Sequence, residues 1–308
     1  MKRQSSRRTF MISAGAAAFA GAVSSRTASG FFGAPEGIRF GYAAITWGRA
    51  ERQAIEDISS AGYQGIQFRI EAVTEFRPPE LREVLRQHKL TFVALSSGEI
   101  SIDPATESDQ LAKHTANAKF VRDAGGLYLQ ILDQLKPYPR VVTPDECKKL
   151  GKLLTELGKR TADIGVPLGY HNHMNTISEH PGNLDLVMES SDPKYVKLEL
   201  DVAHSVAGGG DPAAQIEKYR DRLLFMHLKD VVNISMADEK SAKYPFKFVE
   251  LGRGRVDLLA VFAALEKIGF RGWAVVELDR VPDKSRTPKE CAILSKNYLE
   301  QKIGARFA

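Results

Sequence analysis

The sequence predicts an α/β fold: a (β/α)8 TIM barrel forming a single domain behind an N-terminal signal segment. Three observations predict it. Strand-like and helix-like segments alternate from residue 38 onward, eight of each, and no Pro/Ser-rich linker divides them. Four of the strands, each apolar enough to be buried, end in a metal-ligand residue: GYHNH (169–173), KLELDVAH (197–204), LFMHLKD (224–230) and AVVELD (274–279). Parallel barrels carry their chemistry at such strand ends. Finally, a doubly wound open sheet would more often show a Gly-rich phosphate turn after its first strand, where Trp47-Gly48-Arg49 stands instead.

The first unit is strand 38–47 (IRFGYAAITW) with helix 50–61, and the second is strand 63–69 with helix 78–88. Strand 90–97 and helix 106–124 form the third. The fourth, strand 127–132 and helix 144–164, is punctuated by Thr143-Pro144 at the helix start and Gly165 at its end. Strand 166–173 and helix 181–190 follow, then strand 196–203 and helix 212–222, opened by Asp211-Pro212. Strand 224–229 and helix 257–268 are separated by a long segment, 231–256, read as an active-site loop. Strand 272–279 and helix 287–302 close the ring.

Side chains alternate between the faces of a strand, so the candidate ligands can be tested for a common direction. His171 and His173 share one face of the fifth strand. Phe225, His227 and Lys229 share one face of the seventh, and Trp273, Val275, Glu277 and Asp279 one face of the eighth. Parity allows His171, Asp201, His227 and Glu277 to converge, and two imidazoles with two carboxylates make a divalent-metal site.

The net charge of +5 is carried by the N-terminus. Residues 1–30 hold Lys2, Arg3, Arg7, Arg8 and Arg26 and no acidic residue, so the rest of the chain is neutral. A neutral body gives no support for nucleic acid as a partner. Ser6-Arg7-Arg8-Thr9-Phe10 before the Ala/Gly-rich stretch 11–23 resembles a twin-arginine (Tat) signal, without the Lys often found later in that pattern. Small residues at Ala20-Gly21-Ala22 and Ala28-Ser29-Gly30 offer cleavage sites. The resemblance implies the Tat export machinery as a partner, a periplasmic or otherwise exported location, and 31–308 as the barrel. No apolar run beyond the signal is long enough to span a membrane. Cys147 and Cys291 fall in the fourth and eighth helices, on opposite sides of a barrel, and are read as packing residues.

The Asp201-x-x-His204 pair, the segment His227-Leu228-Lys229-Asp230, the turn Gly252-Arg253-Gly254 and the strand ending in Glu277 together resemble the xylose isomerase-like TIM-barrel superfamily of sugar isomerases and epimerases. The likeness covers 38–303, and Tyr170-His171-Asn172-His173-Met174 is similar to inosose dehydratase-like members. The resemblance implies one divalent ion (Mn2+ first, with Zn2+, Co2+, Fe2+ or Mg2+ as alternatives) on Asp201, His227 and Glu277. Epimerases of this kind carry Glu where this chain has His171. That substitution keeps a ligand but removes a carboxylate base, and His173 is the candidate replacement. Glu277 and His173 are thus the expected catalytic residues. His204, Lys229, Arg253, Glu71 and Trp47 are candidate contacts to a small carbohydrate substrate, with Glu99 a weaker one.

The implied activity is metal-dependent isomerisation or epimerisation of a keto-sugar through an enediolate. A lyase or dehydratase acting on an inosose or a 3-keto-glycoside is the alternative at the same site. A non-catalytic sugar-binding barrel is a third reading. An endonuclease IV-like phosphodiesterase is disfavoured, because only seven His occur and His88 and His114 lie in helices. The sequence leaves open the sugar, the final step and whether the chain forms a homo-oligomer.

Overall fold

The computed structural model describes residues 36–134, 141–235 and 244–307; the twin-arginine stretch lies outside them. The strands in chain order are β1 (Ile38–Ala43), β2 (Gly65–Arg69), β3 (Thr91–Ile100), β4 (Tyr128–Asp133), β5 (Leu168–His171), β6 (Val196–Asp201), β7 (Leu223–Leu228), β8 (Asp230–Asn233), β9 (Phe246–Val249) and β10 (Gly272–Val276). Eight of them close a parallel barrel in the order β1-β10-β7-β6-β5-β4-β3-β2. All eight predicted strands are present, most ending a few residues early where the chain leaves the ladder for the site. The third instead runs on to Ile100 past a register shift between Ser96 and Glu99.

The helices are α1 (Glu51–Ser60), α2 (Ala72–Glu75), α3 (Pro78–Gln87), α4 (Glu107–Asp123), α5 (Pro144–Ile164), α6 (Pro181–Glu189), α7 (Val202–Ala207), α8 (Pro212–Lys218), α9 (Leu258–Lys267) and α10 (Pro288–Tyr298). Their boundaries follow local chemistry. Thr143 and Glu146 form a reciprocal capping box on α5, and Gly165 ends it in the left-handed conformation at φ +85°. Thr287 and Glu290 do the same at the start of α10, which continues through a π-helical turn, Leu299–Ile303. The sixth predicted helix stops at Lys218 rather than residue 222. Buried Cys147 in α5 and Cys291 in α10 stand on opposite sides of the ring. Among the described residues no helix is long and apolar enough to cross a membrane.

Two apolar layers hold the barrel. One lies between strands and helices. The other fills the barrel's lower interior with Val93, Phe225, Trp273 and Val275. A Cβ at residue 65 would lie 2.6 Å from the Trp273 ring, so only glycine lets that plug seat. Above the plug the same inward positions become polar, which places the chemistry at the strand ends.

The segment 231–256, read as a loop, is built differently. β8 and β9 pair antiparallel into a hairpin. A single buried carboxylate fixes its base: Asp230 Oδ2 accepts from the N–H groups of Gly252 (3.0 Å) and Gly254 (2.8 Å), and Oδ1 from those of Val231 (2.9 Å) and Val256 (3.0 Å). The Gly252-Arg253-Gly254 turn is therefore clasped rather than mobile.

Candidate active site

His171, Asp201, His227 and Glu277 meet at the top of the barrel, each offering a donor atom within 4.8 Å of the others. Local chemistry puts them there. Asn172, just past the end of β5, donates Nδ2–H to the Asp201 carbonyl (3.1 Å) and accepts the Asp201 N–H on Oδ1 (2.9 Å), which locks the two strand ends together. Asp201 caps α7 by accepting the His204 N–H on Oδ1 at 2.8 Å, so its Oδ2 is left for the site. His227 Nε2 faces Gln67 Oε1 at 2.9 Å, and an amide oxygen can only accept. Nε2 therefore carries a proton, and Nδ1 points inward.

Nδ1 faces carboxylates: Glu199 Oε1 at 3.0 Å, Glu277 Oε2 at 3.2 Å and Asp201 Oδ2 at 3.7 Å. His171 Nδ1 lies 3.0 Å from Glu199 Oε2. His171 Nδ1, His227 Nδ1, Asp201 Oδ2 and both Glu199 oxygens are buried with no hydrogen-bond partner among the described residues. An uncompensated buried ion costs several kcal/mol, against a total stability of about 5–15 kcal/mol for a domain. Carboxylate oxygens and ring nitrogens turned towards one another in this way fit a cation between them. His227 responds in the same sense: burial opposes its protonation, yet Glu199, Glu277 and Asp201 push it up to about 9. Asp201 stays below the usual carboxylate range because Lys229 and the neighbouring imidazoles outweigh its burial.

Lys229, expected as a substrate contact, is instead fully buried and engaged. Its Nζ donates to Glu277 Oε1 at 2.8 Å and Asp279 Oδ1 at 2.5 Å, and it lies 4.1 Å from the Phe248 ring. Burial favours loss of its proton, but Asp279, Glu277 and Asp201 raise its pKa further. In Glu277 burial is likewise outweighed, by His227 and Lys229, which hold the carboxyl far below its ordinary range.

His173 is partly buried beside this group. Its Nδ1 lies 2.7 Å from the Met174 carbonyl, an acceptor, so the proton is on Nδ1 and the Nε2 lone pair is open. Burial, then the charges of His171 and Lys229, lower its pKa to about 4. His204 packs against it, ring centroids 3.7 Å apart and tilted by 36°. The His204 Nδ1 accepts the Met174 N–H (3.2 Å), which puts the ring proton on Nε2, 3.3 Å from the Lys229 nitrogen; burial, then the charges of His173 and Lys229, hold its pKa well below the ordinary value.

The other candidates stand apart from the cluster. Trp47 donates Nε1–H to Asp57 and sets its ring edge-on to Tyr42, on the helix side of β1. Arg253 is half-exposed and 3.8 Å from Glu250, which also holds Arg286. Glu71 is 3.5 Å from Arg69, with a buried Oε2 that has no partner among the described residues. Three residues escaped the sequence reading. Glu199 shares the face of Asp201 two residues on, a signal alternation could have supplied. Gln67 and Phe248 reach the site only through the closed barrel and the hairpin, which no local pattern announces.

Residues 55–297 match the family described as xylose isomerase-like TIM barrel. The chain is 29% identical over 268 residues to the inosose dehydratase of Lacticaseibacillus casei, covering 80% of this chain and 88% of that protein. It is 25% identical over 294 residues to the inosose dehydratase of Geobacillus kaustophilus, covering 86% and 94%. Among solved structures, the IOLI protein with a bound zinc atom superposes with a TM-score of 0.72 at 18% identity, covering 88% of this chain and 99% of that one. L-ribulose 3-epimerase does so with a TM-score of 0.71 at 16% identity, covering 87% and 95%. At these identities the solved structures speak for the fold.

Proposed function

This chain belongs to the xylose isomerase-like TIM barrel family, and within it we propose a metal-dependent lyase. It removes a proton beside the carbonyl of a keto-sugar or keto-polyol and expels the β-oxygen substituent. One observation carries the choice of elimination over isomerisation or epimerisation: the open base is the neutral His173 Nε2, while Glu277 is tied to Lys229 and His227. The Glu277 oxygens are taken up by Lys229 and His227, whereas the His173 Nε2 lone pair is free to meet a substrate proton. The inosose dehydratases that cover most of this chain support the same class.

His171, Asp201, His227 and Glu277 would hold the divalent ion, with Mn2+ the first candidate. When bound, the ion polarises the substrate carbonyl and acidifies the neighbouring C–H. His173 Nε2 takes that proton as the C–H pair moves towards the carbonyl oxygen, giving an enediolate. The pair then returns to form the C=C bond while the bond to the β-oxygen breaks, and the departing oxygen takes the proton from His173. His204, packed against His173, keeps the ring in place. Lys229 fixes Glu277 and Asp279, and Phe248 covers the ammonium from water.

Incubation with inososes, keto-sugars and 3-keto-glycosides in deuterated water, with and without chelator, tests this by NMR. The expected result is an unsaturated ketone with loss of water or of the glycosyl substituent. Clean epimer or isomer interconversion without elimination would transfer the enzyme to the isomerase class. Full activity after complete metal removal would refute the mechanism. The export reading rests on Arg7-Arg8-Thr9-Phe10 alone. Retention of an Arg7→Lys/Arg8→Lys variant in the cytoplasm is its expected test result.

A further inference from the structure

We propose that Glu199 is itself a metal ligand, so that the ion sits in a five-residue, carboxylate-rich shell rather than in the four-residue set at the strand ends. This rests on the metal reading above. Glu199 is fully buried, both of its oxygens lack a hydrogen-bond partner among the described residues, and each faces an imidazole Nδ1. The first oxygen is 3.0 Å from His227 Nδ1 and the second 3.0 Å from His171 Nδ1.

Were Glu199 only a partner that orients an imidazole, the ring N–H would point at it. Yet neither His227 Nδ1 nor Glu199 Oε1 makes a hydrogen bond, although the two lie 3.0 Å apart. A metal ion between them would give both atoms the partner they lack. The spacings bear on how such an ion is surrounded. Bonds of about 2.1 Å put neighbouring donors about 3.0 Å apart in an octahedron and about 3.4 Å apart in a tetrahedron. Around His227 Nδ1 the separations are 3.0 Å to Glu199, 3.2 Å to Glu277 and 3.7 Å to Asp201, so they span both edges and the donor count decides. Glu199 stands on β6 two residues before Asp201, on the same face and one step further from the strand end. Five donor residues, three of them carboxylates, exceed the four of a closed tetrahedral site and would suit Mn2+ better than Zn2+.

A crystal structure of the Mn2+-loaded protein, with competition titrations of Mn2+ and Zn2+ on wild type and Glu199→Gln, decides it. A Glu199 oxygen within about 2.4 Å of the ion is expected. Glu199→Gln should lose about a hundredfold in Mn2+ affinity and clearly less in Zn2+ affinity, because zinc is satisfied by four donors. A His227→Ala control should bind neither ion. Glu199→Asp, which keeps the charge but shortens the reach, should fall between wild type and Glu199→Gln, with circular dichroism confirming the fold of each. A bound ion with both Glu199 oxygens well outside bonding distance, or equal losses for the two metals, would overturn the proposal while leaving the metal reading intact. A wild-type protein that binds no ion would overturn both.

Discussion

Asp230→Asn is the sharpest test of how the hairpin over the site is held. The carboxylate accepts four backbone N–H bonds, two on each oxygen, from Val231, Gly252, Gly254 and Val256. Asparagine keeps one oxygen and turns an NH2 towards two of those donors. Hydrogen bonds to a charged group contribute about 1.5–3 kcal/mol each, and a buried donor left without an acceptor costs a similar amount. Losing two therefore predicts a destabilisation of about 3–6 kcal/mol. A barrel of this size should lose roughly 2–4 °C of Tm per kcal/mol, so a fall of about 6–24 °C is expected in calorimetry. Because the clasp anchors β8 and β9, Phe248 should also leave Lys229, and kcat should fall with it. A Tm within about 2 °C of wild type would refute the clasp, since no arrangement of an amide can accept four N–H groups at these distances.

The remaining expectations follow the same logic. His227→Ala should abolish metal binding, measured by metal analysis after dialysis. His173→Ala should retain the ion and lose about 10²–10⁴-fold in kcat, and equal metal loss in both variants would make His173 a ligand. Burial, with Glu75 and Glu71 nearby, raises the Glu51 carboxyl to about 7. A raised acid contributes stability that is fully present below about pH 4.5 and lost as pH rises through about 7. Glu51→Gln should thus match wild type near pH 4 and exceed it by up to about 3 kcal/mol at pH 8, a gap that denaturant titrations across pH would show. Lys229→Met leaves Glu277 and Asp279 without their ammonium and should destabilise the metal-free protein by about 3–5 kcal/mol, read as a lowered Tm.

The strand ends were legible because two rules sufficed: parallel barrels expose their chemistry at the C-terminal ends of strands, and alternate residues share a face. Both concern local geometry that one segment displays on its own. The roles were less legible because they depend on which strands become neighbours. Lys229 reads as a cation free to bind substrate until Glu277 and Asp279 on β10 reach it across the ladder between β7 and β10. The segment 231–256 reads as a loop because its two strands are four residues each and their pairing closes on Asp230. Helices α2 and α7 escaped notice for a related reason, since one or two turns carry too little periodicity to stand out.

The histidine at 171 changes meaning once Glu199 is considered with it. In the epimerases that this chain resembles, a carboxylate stands at position 171. Its loss alone would leave a divalent ion with two carboxylates and a weaker field. Glu199 restores the third carboxylate, but from one step further back on β6 rather than from the strand end, 3.0 Å from both imidazoles. On this reading the charge around the ion is conserved while the substrate face loses its acidic base. The vacated task falls to His173, two residues further along the same face, which is unprotonated at neutral pH and whose Nδ1 is held by the Met174 carbonyl so that Nε2 is open. A single neutral base on one face can take a proton and hand it to a departing oxygen on that face. Epimerisation instead needs a second base on the opposite face, and the group placed there, Glu277, is bound to Lys229.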